Sequence, residues 1–525
     1  MLTANASLQS ADYLVLGIYL AGMIALGAWL SRRQKTGEEY FLAGRTMPWL
    51  AVGVSVIASI LSSVTYLSEP GEVWRSGPTH FIGKMLAIPV EMAVVWLVCI
   101  PFMMRFRFTS VYEYLEHRFG PRARTLGAGM FLVLAVSWMG VVVLVSSRML
   151  EPVAGVPLWQ VVVAVGLVAT VYTYLGGLRA VIWTDVVQVV LLMGGALFVL
   201  FYIGLKTGSG PGDWFSAAQS WLAEQDGHQP MAVFSLDPTT RVTMVTVAVH
   251  MCVWHVCTHT ANQMTVQRYF STRGMGEARR SFVVGSLLGV GINLLLMVAG
   301  VAVLYYYREA MAGQLPALVD PAQKKTFDLA YPSFVVDHLS GGLAGALLAA
   351  ILAAAMSSID SGVNSIATVL TAERRRKRDT SDVEDIAFAR KITVAAGLFI
   401  IVAAFAMDRL AGDRGIIEML PRTFNCLTGV LGGLFLVGMF LPRAGERALL
   451  AAGGCGLATA ISIAYSDKLF GMSPPISFTW VMPGSLLVTL TVAALLSTVL
   501  NERHAPSGYT WATRDKEPDT PPPTP

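Results

Sequence analysis

Long stretches without charge, or nearly so, recur along this chain at about 11–31, 47–68, 81–104, 126–147, 158–178, 180–205, 242–264, 281–307, 339–372, 392–407, 420–441, 448–466 and 476–500. Most reach the roughly 20 residues that a helix needs to cross ~30 Å of hydrocarbon. The pattern predicts thirteen transmembrane helices joined mainly by short polar loops. Segments 81–104, 242–264 and 420–441 differ from the rest in carrying charges or histidines.

Charge placement sets the orientation. With the N-terminus outside, the clusters Arg32/Arg33/Lys35, Arg105/Arg107, Arg118/Arg122/Arg124, Arg279/Arg280 and 374–378 all fall on the cytoplasmic side, and so does the C-terminus. This threading places 26 of the 38 Lys and Arg residues inside, as the positive-inside tendency requires. No Lys or Arg precedes the first apolar stretch, which argues against a cleaved signal peptide. The external connection 206–240, with Gly208, Gly210, Pro211, Gly212 and Pro230, reads either as an ordered loop over an outer vestibule or as a solvated linker. Residues 501–525, which end in a proline run, read as a disordered cytoplasmic tail.

Composition agrees with a lipid-facing surface: 54% of the residues are apolar and 14% charged. A net charge of +4, with no basic stripe interleaved with aromatics, gives no reason to expect nucleic acid as a partner. Cys99, Cys252, Cys257, Cys426 and Cys455 lie in hydrophobic segments without metal-ligand spacing and read as small core residues. No nucleophile with a base, metal triad or glycine-rich phosphate loop is present, so the chain is not read as an enzyme.

Two carboxylates stand inside predicted spans, Asp185 and Asp360. A charge at the bilayer centre costs about 3 kcal/mol on insertion scales, so each must face protein or a cavity, with a cation or proton as partner. Ser357, Asp360 and Ser361 share one helix face at i, i+3 and i+4, with Ala354 one turn earlier. Hard oxygen donors of this kind suit a small cation; close packing of small residues is the alternative for the serines and alanines. Residues 50–65 are apolar on average but carry Ser55, Ser59, Ser62, Ser63 and Thr65, which suits an interrupted helix whose freed carbonyls line a cavity. In 242–264, His250, His255 and His259 precede Asn262 and Gln263, a polar load fitting either cavity lining or core hydrogen bonding.

Four motifs resemble the sodium:solute symporter family: Glu39-Tyr40-Phe41-Leu42-Ala43-Gly44-Arg45, Tyr174-Leu175-Gly176-Gly177-Leu178-Arg179 running on to Asp185, Val266-Gln267-Arg268-Tyr269-Phe270, and residues 356–365. The resemblance covers most of the chain. It implies an all-α, inverted-repeat (LeuT-like) transporter over 1–500, with an extra helix at 11–31, repeats at 47–205 and 241–441, and two further helices at 446–500. It also implies a multi-pass protein of the plasma (inner) membrane, monomeric as a functional unit, that uses Na+ as coupling ion. Sodium would be held by Ala58, Leu61, Ala354, Ser357 and Ser358, and a second sodium or a proton by Asp185, Asp360 and Ser361. Asp360 stands where the sialic acid type has a serine, so two acids could face one another.

The solute is less well marked. The sugar pattern's helix 2 glutamate is replaced near Met85, its helix 7 lysine has no counterpart in 281–307, and the sialate arginine falls near Trp138. Helix 1, from Ser62 to Glu72, is closer to the monocarboxylate and sialate types than to the sugar types. The expected solute is a small organic anion, with a sugar or polyol as the alternative, and Ser62, Thr65, His259, Asn262, Gln263 and Asn425 are the expected solute-binding groups. A transporter-like membrane sensor is the alternative from another class.

Overall fold

The structure is a computed structural model that describes residues 9–31, 36–154, 157–224, 232–339, 341–411, 416–500, 502 and 505–517. It is built from helices, and no strand occurs among the described residues. Helix α1 (Ser10–Ser31) is followed by the short α2 (Gly37–Leu42), started by a capping box in which Thr36 and Glu39 satisfy each other's backbone N–H groups. The next helix is interrupted: α3 (Trp49–Ile60) stops at the extended residues Leu61 and Ser62, and α4 (Ser63–Ser76) resumes with the Ser62 hydroxyl accepting from Val64 N–H. Helix α5 (Thr79–Val94) runs through a π-helical turn into α6 (Ile100–Met103), and α7 (Glu113–Phe119) leads to α8 (Pro121–Ala154).

Helix α9 (Leu158–Leu175) and α10 (Leu178–Thr207) complete the first half, α10 ending where Gly208 takes φ +66°. Helix α11 (Pro211–Glu224) lies outside, with the Trp221 indole N–H donating to the Trp74 carbonyl of α4 at 3.1 Å. Connection 206–240 is therefore helical and packed in part. A second interruption separates α12 (Met244–Ala261) from α13 (Gln263–Phe270), with Asn262 capping Met264 N–H. Then come α14 (Met275–Tyr305), α15 (Ala330–His338), α16 (Leu343–Lys377), α17 (Asp382–Ala411), α18 (Ile416–Met419), α19 (Asn425–Phe440), α20 (Glu446–Ala464), α21 (Ser466–Phe470) and α22 (Val481–Val499).

Nine of the described helices are long and apolar enough to cross a membrane, α9 and α19 are shorter apolar helices, and the two interrupted helices add the remaining two of thirteen spans. They pack in three groups. Helices α3, α4, α5, α10, α12 and α14 surround the two breaks; α8, α9, α16 and α17 form a second layer; α19, α20 and α22 a third. Helix α16 touches both of the first two layers and is buried along most of its length, which explains its small residues: Ala353, Ala354, Ala355, Ser357, Ser358 and Gly362 let neighbours approach closely. Another close approach lies where α4 crosses α14: a Cβ on Gly300 would stand 2.6 Å from the Pro70 Cα.

The tail departs from the sequence expectation. Residues 505–517 are folded back on the cytoplasmic face: the Tyr509 ring stacks on Phe106 at 5.4 Å and its carbonyl accepts from the Tyr114 hydroxyl at 3.0 Å. Two aromatics, Tyr509 and Trp511, supply the apolar area that the proline run lacks. The rest of the predicted disordered tail, 501, 503–504 and 518–525, lies outside the described residues.

Candidate functional site

The break in α3/α4 leaves carbonyls at the end of α3 without the i+4 donors that a continuous helix would supply. Helix α16 crosses them at its serines. The Ser357 hydroxyl donates to the Ala58 carbonyl at 3.0 Å and lies 3.1 Å from the Ala354 carbonyl, while the Ser358 hydroxyl reaches the Ser59 carbonyl at 3.4 Å. Ala58, Leu61, Ala354, Ser357 and Ser358 are all buried here, and Leu61 opens onto the neighbouring cavity. Oxygen atoms from positions 299 apart in sequence thus meet in a buried seam.

Asp185 meets a partner that the sequence reading did not assign. Its Oδ2 accepts from the Ser55 hydroxyl at 2.5 Å and from the Arg268 guanidinium at 3.1 Å. Arg268 also donates to Ser55 Oγ at 2.7 Å, to the Met264 carbonyl at 2.6 Å, and to the Ser361 hydroxyl. Helices α3, α10, α13 and α16 are joined through this one side chain, which is completely buried. Asp360 lies beside it, its Oδ1 3.4 Å from Ser361 Oγ. The signal for Arg268 was its place in the Val266–Phe270 motif, which follows the second break directly.

A cavity of about 150 Å³ adjoins the seam. Trp138, Trp254, Phe424 and Phe478 give it aromatic walls, and Thr65, Ser68, Asn293 and Asn425 add hydrogen-bonding groups. The Asn425 Oδ1 is buried and has no hydrogen-bond partner among the described residues. Lys84 projects from α5 to pair with Glu69 of α4 and donates to Asn293 Oδ1 of α14 at 3.2 Å. His80 Nδ1 stands 3.6 Å from the same glutamate. One helical face of α5 carries both Lys84 and Glu91 to the cavity, an i, i+7 spacing legible in the sequence once 81–104 is taken as a span.

Of the expected solute-binding residues, Thr65 and Asn425 line this cavity; the other four lie off its lining. Ser62 and Asn262 cap α4 and α13. Gln263 accepts from Val111 N–H at 2.8 Å and donates to the Thr109 carbonyl at 3.0 Å, tying a loop to α13. His259 is buried with its Nδ1 2.6 Å from the Tyr269 hydroxyl. No cluster of three His, Cys, Asp or Glu able to hold a metal occurs among the described residues, Cys252 and Cys257 included.

Ion pairs tie both ends of the cavity's helices. Outside, Arg241 donates to both Glu72 oxygens at 2.7 and 2.9 Å and to Glu418 at 2.6 Å, while Arg75 lies 2.8 Å from Asp328. Burial pushes the Asp328 carboxyl above the ordinary range, against the pull of Arg75 and of the Ile416 N–H. On the cytoplasmic side, Arg124 pairs with Glu116 of α7 and Glu373 of α16.

A bundle with two interrupted helices, an oxygen-lined seam and an adjoining cavity is the architecture of an ion-coupled secondary transporter. Residues 40–456 match the model of the sodium:solute symporter family, and the chain belongs to that family. It is 32% identical to a sodium/sialic acid symporter of Proteus mirabilis over 440 residues, 82% of this chain and 85% of that one. It is 30% identical to a rabbit (Oryctolagus cuniculus) sodium-dependent multivitamin transporter, covering 94% of this chain and 77% of the relative. Among solved structures, a substrate-bound, outward-open Na+-coupled sialic acid symporter superposes with a TM-score of 0.82 at 28% identity, covering 95% of this chain and 98% of that one. A nucleobase-cation-symport transporter at 12% identity and a TM-score of 0.52, covering 87% and 92%, shares the fold alone. The protein is a sodium-coupled solute symporter with the inverted-repeat (LeuT-like) fold, a multi-pass plasma-membrane protein and not an enzyme.

Proposed function

We propose that this symporter carries a small organic anion, held in the cavity beside the α3/α4 break, together with a sodium ion held by Ala58, Leu61, Ala354, Ser357 and Ser358. The observation that carries the sodium assignment is the pair of α16 hydroxyls directed at the Ala58 and Ser59 carbonyls. A monovalent cation there would replace weak hydroxyl-to-carbonyl contacts with ion-to-oxygen contacts from both layers, favouring the conformation in which they meet. The solute is the anion that Lys84 can clasp: its ammonium is within reach of both Glu69 and Asn293, so a carboxylate can take the place of Glu69. Thr65 and Asn425 would hold polar groups of the solute, and Trp138 and Phe424 its apolar face.

Each site is assembled within one chain, which supports a monomeric functional unit. The two broken helices support repeats at 47–205 and 241–441, flanked by the helix at 11–31 and the pair at 446–500. A second cation at Asp185, Asp360 and Ser361 is favoured by one observation: Asp185 Oδ1 is buried with no hydrogen-bond partner among the described residues.

The test is uptake into proteoliposomes of labelled sialic acid, a short monocarboxylate and glucose, with and without an inward sodium gradient. Sodium-driven accumulation of an acid and not of glucose is expected; accumulation of glucose alone would replace the anion reading with the sugar or polyol one. A sodium Hill coefficient near one supports a single site, and near two the second cation.

A further inference from the structure

Of the titratable groups of the cavity, Glu91, His250 and His255 are used by neither the sodium seam nor the Lys84 pair, and His250 is tied through Nδ1 to the Thr479 carbonyl at 3.0 Å. Glu91, on α5, is buried; its Oε2 lies 3.3 Å from His255 Nε2 on α12. The histidine side chain retains 20% of its exposure and opens onto the cavity, while its Nδ1 is buried without a hydrogen-bond partner among the described residues. Below it, the rings of His255 and His259 stack at 5.8 Å, and His259 Nδ1 is 2.6 Å from the Tyr269 hydroxyl of α13. Glu91, His255, His259 and Tyr269 therefore form a string of proton-bearing groups that starts at the cavity and ends beyond the α12/α13 break.

Charge counting gives this string a task. The carboxyl and ammonium groups that line the cavity are Glu69, Glu91 and Lys84, so one negative charge is in excess whenever Glu91 is ionised and the histidines are neutral. An organic anion entering that cavity meets repulsion in a medium that screens poorly. A proton taken from the outer solution and shared between Glu91 Oε2 and His255 Nε2 leaves the pair without net charge and removes the excess. The remaining groups around the pair are His80, His250 and Lys84 above it, the thiols of Cys99, Cys252 and Cys257 beside it, and His259 and Tyr269 below. Facing from α14 and α19 are Ser286, Asn293 and Asn425, which carry no charge.

We propose that Glu91 and His255 form a proton-binding site of the transport cavity, and that a proton enters with the anion and sodium as a further coupling ion. The coupling rests on the cavity being the path of an organic anion; the binding site itself does not. Two measurements keep these apart.

The first needs no solute. Weakly buffered, purified full-length protein is titrated at fixed sodium across about pH 5 to 8, the range in which an imidazole changes charge. Wild type is expected to bind one proton more than Glu91→Gln or His255→Asn, with Glu91→Asp restoring it; superimposable curves from folded variants would overturn the site. The second uses wild type alone, in proteoliposomes under an inward sodium gradient with a trapped pH dye and sialic acid as probe. Expected are acidification of the lumen during uptake and an apparent affinity that rises by up to about tenfold per pH unit lowered. Uptake with no acidification would overturn proton coupling. Failure of the probe to enter, with the extra proton still counted in the first measurement, would count against the anion reading and leave the proton site standing.

Discussion

Arg268 sends one guanidinium to α3, α10 and α16 at once, through Ser55, Asp185 and Ser361, in a site closed to solvent. Removing one partner of such a buried pair strands the other, a loss of about 3 to 5 kcal/mol. Arg268→Gln should therefore lower the thermal midpoint strongly in detergent, and adding Asp185→Asn should recover part of it; an unshifted midpoint would mean that the pair carries no structural load. Lys84 belongs to the cavity instead. Lys84→Gln removes a charged hydrogen bond worth about 1.5 to 3 kcal/mol, so the KM of the transported anion should rise roughly 10- to 100-fold, and because it strands the buried Glu69 carboxylate the thermal midpoint should fall as well. The residue scale is also where sequence reading loses most. Residue type marked Gln263 and His259 as polar groups in an apolar span, but it does not encode direction: Gln263 turns to the backbone of residues 109–111 and His259 to Tyr269, because those buried groups need partners of their own. Spacing alone puts Ser357 on one helix face with Ala354, Asp360 and Ser361, whereas Ser358 came only from the family resemblance.

Helix α4 is the element on which the site depends, since it carries Thr65, Ser68 and Glu69 to the cavity and Glu72 and Arg75 to the outer ion pairs. Its position is fixed by contact with α14, where the Trp74 indole N–H donates to the Gly300 carbonyl at 3.0 Å and only hydrogen fits between Gly300 and Pro70. Gly300→Ala should cost about 1 to 3 kcal/mol through overpacking, read as a lower thermal midpoint, and should weaken sodium-driven uptake by displacing α4. An undisturbed midpoint and undiminished uptake would show that the crossing tolerates a methyl group. The interruption itself was legible in 50–65, where serines crowd an uncharged stretch, yet its limits were not: the apolar count stopped near 68, whereas α4 continues to Ser76 with Glu69, Glu72 and Arg75 buried among partners from other elements. Charges paired across space look like loop residues when read along the chain.

Over the whole molecule, the thirteen spans and their cytoplasmic Arg clusters follow from hydropathy and the positive-inside bias, because lipid imposes both on any chain that crosses it. The folded segment 505–517 did not follow, since two aromatics among prolines and charges give no periodic signal. Energy conversion adds the last requirement. One charge moving through ~100 mV yields about 2.3 kcal/mol, available to the solute only if sodium binds in the seam between the two layers of helices. Binding of radioactive sodium to the purified protein tests this most directly, without any assumption about the solute. Saturable binding to wild type is predicted, with Ser357→Ala and Ser358→Ala each raising the half-saturating concentration about tenfold, the equivalent of ~1.4 kcal/mol. Sodium binding that is unchanged when both hydroxyls are removed would contradict the account.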